Sequence, residues 1–225
     1  MPALIWLSLA AMAVLLVLLP WLFAELMAAA LAKLHVSPGA AVALIAAMIV
    51  GGLVNIPVRR TARREEFVVH PLAAFGLADF WPELRRVRRE TVIAVNVGGC
   101  LVPAGLALYE LAHLLAAGQA VVLAAASASM INIAACYLLA RPVPRIGIAL
   151  PGLAPALVAA VSALVLAPGH AAPVAYVAGV AGPLVGADLL HLKDIGRLGT
   201  GMASIGGAGT FDGIVLSGIV AAYLS

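Results

Sequence analysis

The chain has 225 residues, 64% of them hydrophobic and 10% charged, with a mean hydropathy of +1.14. That composition excludes a soluble globular domain, because several apolar runs reach the roughly 20 residues that cross a bilayer. The short alternating segments of a transmembrane β-barrel are missing from it, and a net charge of +3 gives no indication of nucleic acid.

Met1-Pro2-Ala3-Leu4 lacks a basic n-region and the apolar run continues past Phe23. The first segment therefore reads as a span, not as a cleavable signal peptide. Seven spans are predicted, at roughly 3–31, 38–58, 91–115, 119–140, 147–167, 171–190 and 205–224. Connections of a few residues make neighbouring spans antiparallel. Pro20 is expected to kink the first span, and Pro38 suits the first turn of the second. The fold class is all-α: a polytopic transmembrane helical bundle in a single integral membrane domain, 1–225.

The thirteen basic residues orient it. Arg59, Arg60, Arg63, Arg64, Arg85, Arg86, Arg88 and Arg89 fall in the loop 59–90, Arg141 and Arg145 in 141–146, and Lys193 and Arg197 in 191–204. Only Lys33 falls on the other side. The positive-inside rule then puts the N-terminus in the cytoplasm and the C-terminus outside. Phe75, Phe80 and Trp81 precede Arg85–Arg89 in the basic cytoplasmic loop, a pattern that suits a helix lying on an anionic leaflet. Arg141-Pro142-Val143-Pro144-Arg145 reads as a stiff cytoplasmic turn. Cys100 and Cys136 lie in apolar runs and read as inert core thiols.

The polar residues inside the spans carry the functional signal, because a charge in hydrocarbon is costly. Asp188 lies about three residues before the cytoplasmic end of the sixth span and Asp212 about two turns inside the seventh. Their depths differ by ~5–8 Å at 1.5 Å per residue, a gap that a broken turn at Gly206-Gly207 would close. Two carboxylates in low dielectric do not both stay ionised, and such a pair tends to share a proton. That state suits aspartyl proteolysis, in which one Asp activates water and the other acts as acid. It equally suits proton- or cation-coupled transport. A purely structural pair is the third reading, with Asp188 reaching the interface or capping a helix end and Asp212 bonding backbone freed by the glycines. Gly206, Gly207, Gly209 and Gly213 allow close helix packing or an unwound turn that approaches substrate. Asn55, Asn96 and Asn132 sit beside Gly, Pro or Ser at membrane depth, where they either bond across helices or line a polar cavity. Glu110-Leu111-Ala112-His113 has an E-x-x-H spacing near the outer end of the third span, and an interfacial ion pair is expected there, with no metal site. His191, just beyond Asp188, is placed to tune it.

Several strings are similar to those of a bacterial and archaeal integral membrane protein family catalogued as a domain of unknown function. They are Asn96-Val97-Gly98-Gly99, Arg141-Pro142-Val143-Pro144 with Gly147-Ile148-Ala149-Leu150-Pro151, Gly186-Ala187-Asp188-Leu189-Leu190, and Ser204-Ile205-Gly206-Gly207-Ala208-Gly209-Thr210-Phe211-Asp212-Gly213-Ile214. The resemblance implies a multi-pass protein of the prokaryotic inner membrane. More loosely, Asp188 in span six and Asp212 in span seven resemble the placement of the catalytic pair in presenilin-like aspartyl proteases. Here two residues separate Gly209 from Asp212, Ala187 precedes Asp188, and Pro155-Ala156-Leu157 comes before both aspartates, unlike that family's pattern. Gly186-Ala187-Asp188 is also similar to stretches of prepilin peptidases.

The expectation is an intramembrane aspartyl protease with Asp188 and Asp212 as dyad, acting on a membrane-embedded peptide without a cofactor. The alternatives are a transporter of a proton or small cation and a non-catalytic membrane scaffold. The bilayer is the partner that the composition names, and nucleic acid is not expected.

Overall fold

A computed structural model describes residues 2–67, 86–143, 147–195 and 202–225. The chain is mostly helical. In order come α1 (Pro2–Leu31), α2 (Pro38–Gly51), β1 (Asn55–Phe67), β2 (Arg86–Asn96), α3 (Val102–Ala117), α4 (Gln119–Leu139), β3 (Arg141–Val143), β4 (Gly147–Ala149), α5 (Ala154–Leu166), α6 (Ala171–Ala181), α7 (Leu192–Ile195), β5 (Met202–Ile205) and α8 (Gly213–Leu224). A π turn at Val97–Leu101 leads into α3, and a longer π segment, Gly182–Leu189, extends α6. Counting these extensions, three helical stretches among the described residues are long and apolar enough to cross a membrane: Val97–Ala117, Gln119–Leu139 and Pro168–Asp194.

Helix boundaries follow local chemistry. Ser37 caps α2 by accepting the Ala40 N–H at 3.3 Å, with Pro38 in the first turn as the sequence predicts. Gly118, at φ +123°, turns the chain from α3 into α4. α6 forms the centre: Ala171 and every residue from Pro173 to Val180 are buried, between α3, α4, α5 and α8. Alanines and glycines dominate these contacts, so the helix backbones come close without large side chains to interlock. Tyr176, fully buried, spans the gap to α3 and donates its hydroxyl to the Pro103 carbonyl at 3.4 Å.

The strands depart from the all-α expectation. α2 stops at Gly51, short of residue 58, because Gly51-Gly52 and then Pro57 end a helix. Thr91-Val92-Ile93-Ala94-Val95, read as the start of the third span, is strand; its β-branched residues suit a pleated surface. β1 and β2 pair antiparallel from Asn55↔Asn96 to Phe67↔Arg86, and β5 adds parallel to β2 from Val92↔Met202 to Val95↔Ile205. The basic residues of 59–67 and 86–90 thus lie on a two-stranded ribbon. Phe75, Phe80, Trp81 and Arg85 are outside the described residues, and Arg86, Arg88 and Arg89 are on β2, not on a surface helix. The predicted stiff turn at 141–146 is the hairpin β3–β4, with 144–146 outside the described residues, and it delays the start of α5 to Ala154.

At the opposite end of the bundle, the α1–α2 turn is tied to α3. Glu110, fully buried, accepts the His35 N–H at 3.0 Å on one oxygen and faces His35 Nδ1 at 2.8 Å with the other. A carboxylate–imidazole contact therefore exists here, but the partner of Glu110 is His35 and not His113, which stacks on the His35 ring at 4.9 Å.

Candidate functional site: a cavity holding both aspartates

Glycine builds the floor of the site. A side chain on Gly99 would place its Cβ 2.1 Å from the Gly206 carbonyl oxygen, so the π turn before α3 and the turn after β5 meet backbone to backbone only because both are glycine. Gly206, at φ +71°, also takes a conformation that L side chains rarely adopt. The broken turn foreseen at Gly206-Gly207 is present: the seventh segment becomes α-helical only at Gly213.

That break brings the aspartates to one place. Asp188 projects from the π segment after α6, and Asp212 is the N-cap of α8. Both line a cavity of about 400 Å³. The remaining wall comes from Asn55 at the start of β1, from β5 and the following Gly207 and Ala208, and from Gly147 and Ile148 of β4. Each carboxylate lies within electrostatic reach of the other and of the buried Cys100 thiol. Asp212 accepts the Ile214 N–H at 3.0 Å on Oδ1 and the Ala208 N–H at 3.3 Å on Oδ2. The Gly206 N–H faces the Asp188 carboxylate. The backbone bonding foreseen for Asp212 is present, in the form of an N-cap on α8, and it coexists with a place in the cavity; the helix cap foreseen as one option for Asp188 falls to Asp212 instead.

The other predicted residues divide. Asn55 and Gly207 line the cavity. Gly206 and Gly209 stand beside it, Gly209 at φ +62° against Gly52, and Gly213 opens α8 near Leu150. Asn96 is fully buried behind the wall, where its Nδ2 donates to the Gly52 carbonyl at 2.8 Å and to Asn55 Oδ1 at 3.1 Å. Its Oδ1 accepts the Gly99 N–H at 2.7 Å. Asn132 does not reach the cavity; it bonds α4 to α6 by donating to the Ala178 carbonyl at 2.8 Å. His191 turns from Asp188 to the Gly186 and Ala187 carbonyls and packs on Tyr137 of α4. Ser204 escaped the sequence reading. Its hydroxyl donates to Asn55 Oδ1 and it lines the cavity; its place beside the glycine run was the available signal.

Apolar helices of spanning length, joined at one end to a basic ribbon and enclosing a carboxylate cavity, give the chain the character of a helical membrane protein. Residues 49–224 match the family model described as "Protein of unknown function (DUF1614)", and the chain belongs to that family. This agrees with the resemblance to an uncharacterised family, and the match names nothing presenilin-like. Among curated proteins and solved structures, none matches the chain.

Proposed function

We propose that the chain is an intramembrane aspartyl protease with Asp188 and Asp212 as its dyad. The observation that supports this most is that both carboxylates, from different elements, line one cavity. Water attacks the scissile carbonyl carbon while one carboxylate takes its proton and the other, protonated, gives a proton to the carbonyl oxygen. Collapse of the tetrahedral diol breaks the C–N bond: the departing nitrogen takes the proton held by the first carboxylate, and a diol hydroxyl returns its proton to the second, which restores the singly protonated dyad. No cofactor enters the scheme.

Two further features favour a membrane peptide as substrate. α8 has 12 residues, a length of ~18 Å at 1.5 Å per residue, against a hydrocarbon core of ~30 Å. In a seven-span arrangement with the N-terminus cytoplasmic, Asp212 then sits within the bilayer thickness, and the non-helical backbone around it belongs where a water-filled cavity is lined. β5 pairs only on its β2 side among the described residues, and it lines the cavity. An extended peptide can add to such an edge by main-chain hydrogen bonds, with Gly206, Gly207, Gly209 and Gly213 leaving room for its backbone. The basic ribbon lies on the same sheet, so the cavity opens towards the cytoplasm of the inner membrane.

Cation- or proton-coupled transport through the same aspartates is the second reading, favoured by the polar Ser204 beside both carboxylates in the same wall. The two part in nanodiscs. The protease reading expects cleavage of a transmembrane peptide by the wild type and none by Asp188→Asn. Ion flux in liposomes without cleavage would replace it by transport.

A further inference from the structure

The hydrogen-bond network behind the cavity determines which end of the Asn55 amide faces it. The orientation of Asn96 is forced by two backbone partners: a carbonyl, Gly52, requires its nitrogen, and an N–H, Gly99, requires its oxygen. The second hydrogen on that nitrogen then meets Asn55, which must present oxygen to receive it. Ser204 donates to the same oxygen. Asn55 Oδ1 is thus occupied by two donors from the protein, and its NH₂ has no protein partner among the described residues. Because Asn55 lines the cavity beside Asp188 and Asp212, that NH₂ is left for whatever the cavity holds.

We propose that Asn55 is a catalytic residue that donates its side-chain NH₂ to the carbonyl oxygen of a peptide bond held at the dyad. The inference rests on the proteolytic reading and specifies the ligand group at that site: an acceptor oxygen, not a bare cation. A donor preset towards the oxygen on which charge develops stabilises the tetrahedral state without reorganisation. Asn96 is the positioning residue that keeps the donor outward. A cation would meet the positive end of the amide dipole, so the same geometry weighs against a metal or sodium ligand at Asn55.

The Asn55→Asp variant keeps the inward oxygen that receives Asn96 and Ser204 and replaces the outward NH₂ by an oxygen, so it removes the donor while leaving the network behind the cavity in place. For catalysis, Asn55→Ala is expected to lower kcat ~100-fold with little change in KM, and retention of thermal stability by Asn55→Asp controls for folding. Wild-type kcat in Asn55→Ala, with Asp188→Asn inert, overturns the donor role and leaves the dyad standing. Wild-type cleavage by Asp188→Asn overturns the dyad and the peptide-bond role of Asn55 with it.

Discussion

Asp212 does two jobs that substitution can separate. As N-cap of α8 it holds the N–H groups of Ile214 and Ala208, and as a cavity residue it offers a carboxylate to the proposed dyad. Asn caps a helix about as well as Asp, whereas Ala does not. Asp212→Asn is therefore expected to unfold at the wild-type temperature while losing cleavage, and Asp212→Ala to lose both cleavage and ~1 kcal/mol of stability. Thermal denaturation beside an activity assay checks this, and loss of stability in both variants without loss of cleavage would make Asp212 structural. The two aspartates were legible because ionisable groups stand out in apolar runs. The role of Asn55 was not, since it depends on Asn96, 41 residues away in the chain, to turn its amide, and no local pattern records such a pairing.

At the scale of elements, the site depends on three breaks in helices: the end of α2, the π turn before α3, and the turn between β5 and α8. Gly51, Gly52, Gly98, Gly99 and Gly206 let these backbones touch. Gly99→Ala would drive a methyl into the Gly206 carbonyl and is expected to destabilise by ~1–3 kcal/mol and to disrupt the cavity. Gly105, on α3 with nothing within 4 Å of its added Cβ, is the control. Gly105→Ala is expected to be neutral or slightly stabilising, since Ala favours a helix over Gly by ~1 kcal/mol. Equal thermal stability of the two variants would contradict the close approach. Helix existence was readable from long apolar runs, and α1, α4 and α6 taken with its π extension to Leu189 fall close to the predicted bounds. The strands were not. A short apolar run such as Thr91–Val95 does not declare its period, and the charges of Arg59–Glu66 look like a solvated flank until β2 pairs with them.

For the whole molecule, the basic ribbon, the cavity and the N-termini of α3 and α8 share one end, while the His35–Glu110 pair and the α8 terminus share the other. The proposed orientation follows from the positive-inside rule, and on it reporter fusions are expected to place the Ser225 end outside and the 59–90 segment inside. A cytoplasmic C-terminus would invert the cavity and its access to water. For the proposed protease, orientation decides which aqueous side supplies the hydrolytic water and where the released peptide end goes.

The most direct measurement is the cleavage rate of a transmembrane peptide in nanodiscs by wild type, Asp188→Asn, Asp212→Asn and the double variant. Groups that act as one unit are not additive. The dyad predicts that each single variant loses at least ~10³-fold in kcat and that the double variant loses no more. A single variant cleaving at the wild-type rate would show that the two carboxylates share a cavity without sharing a reaction.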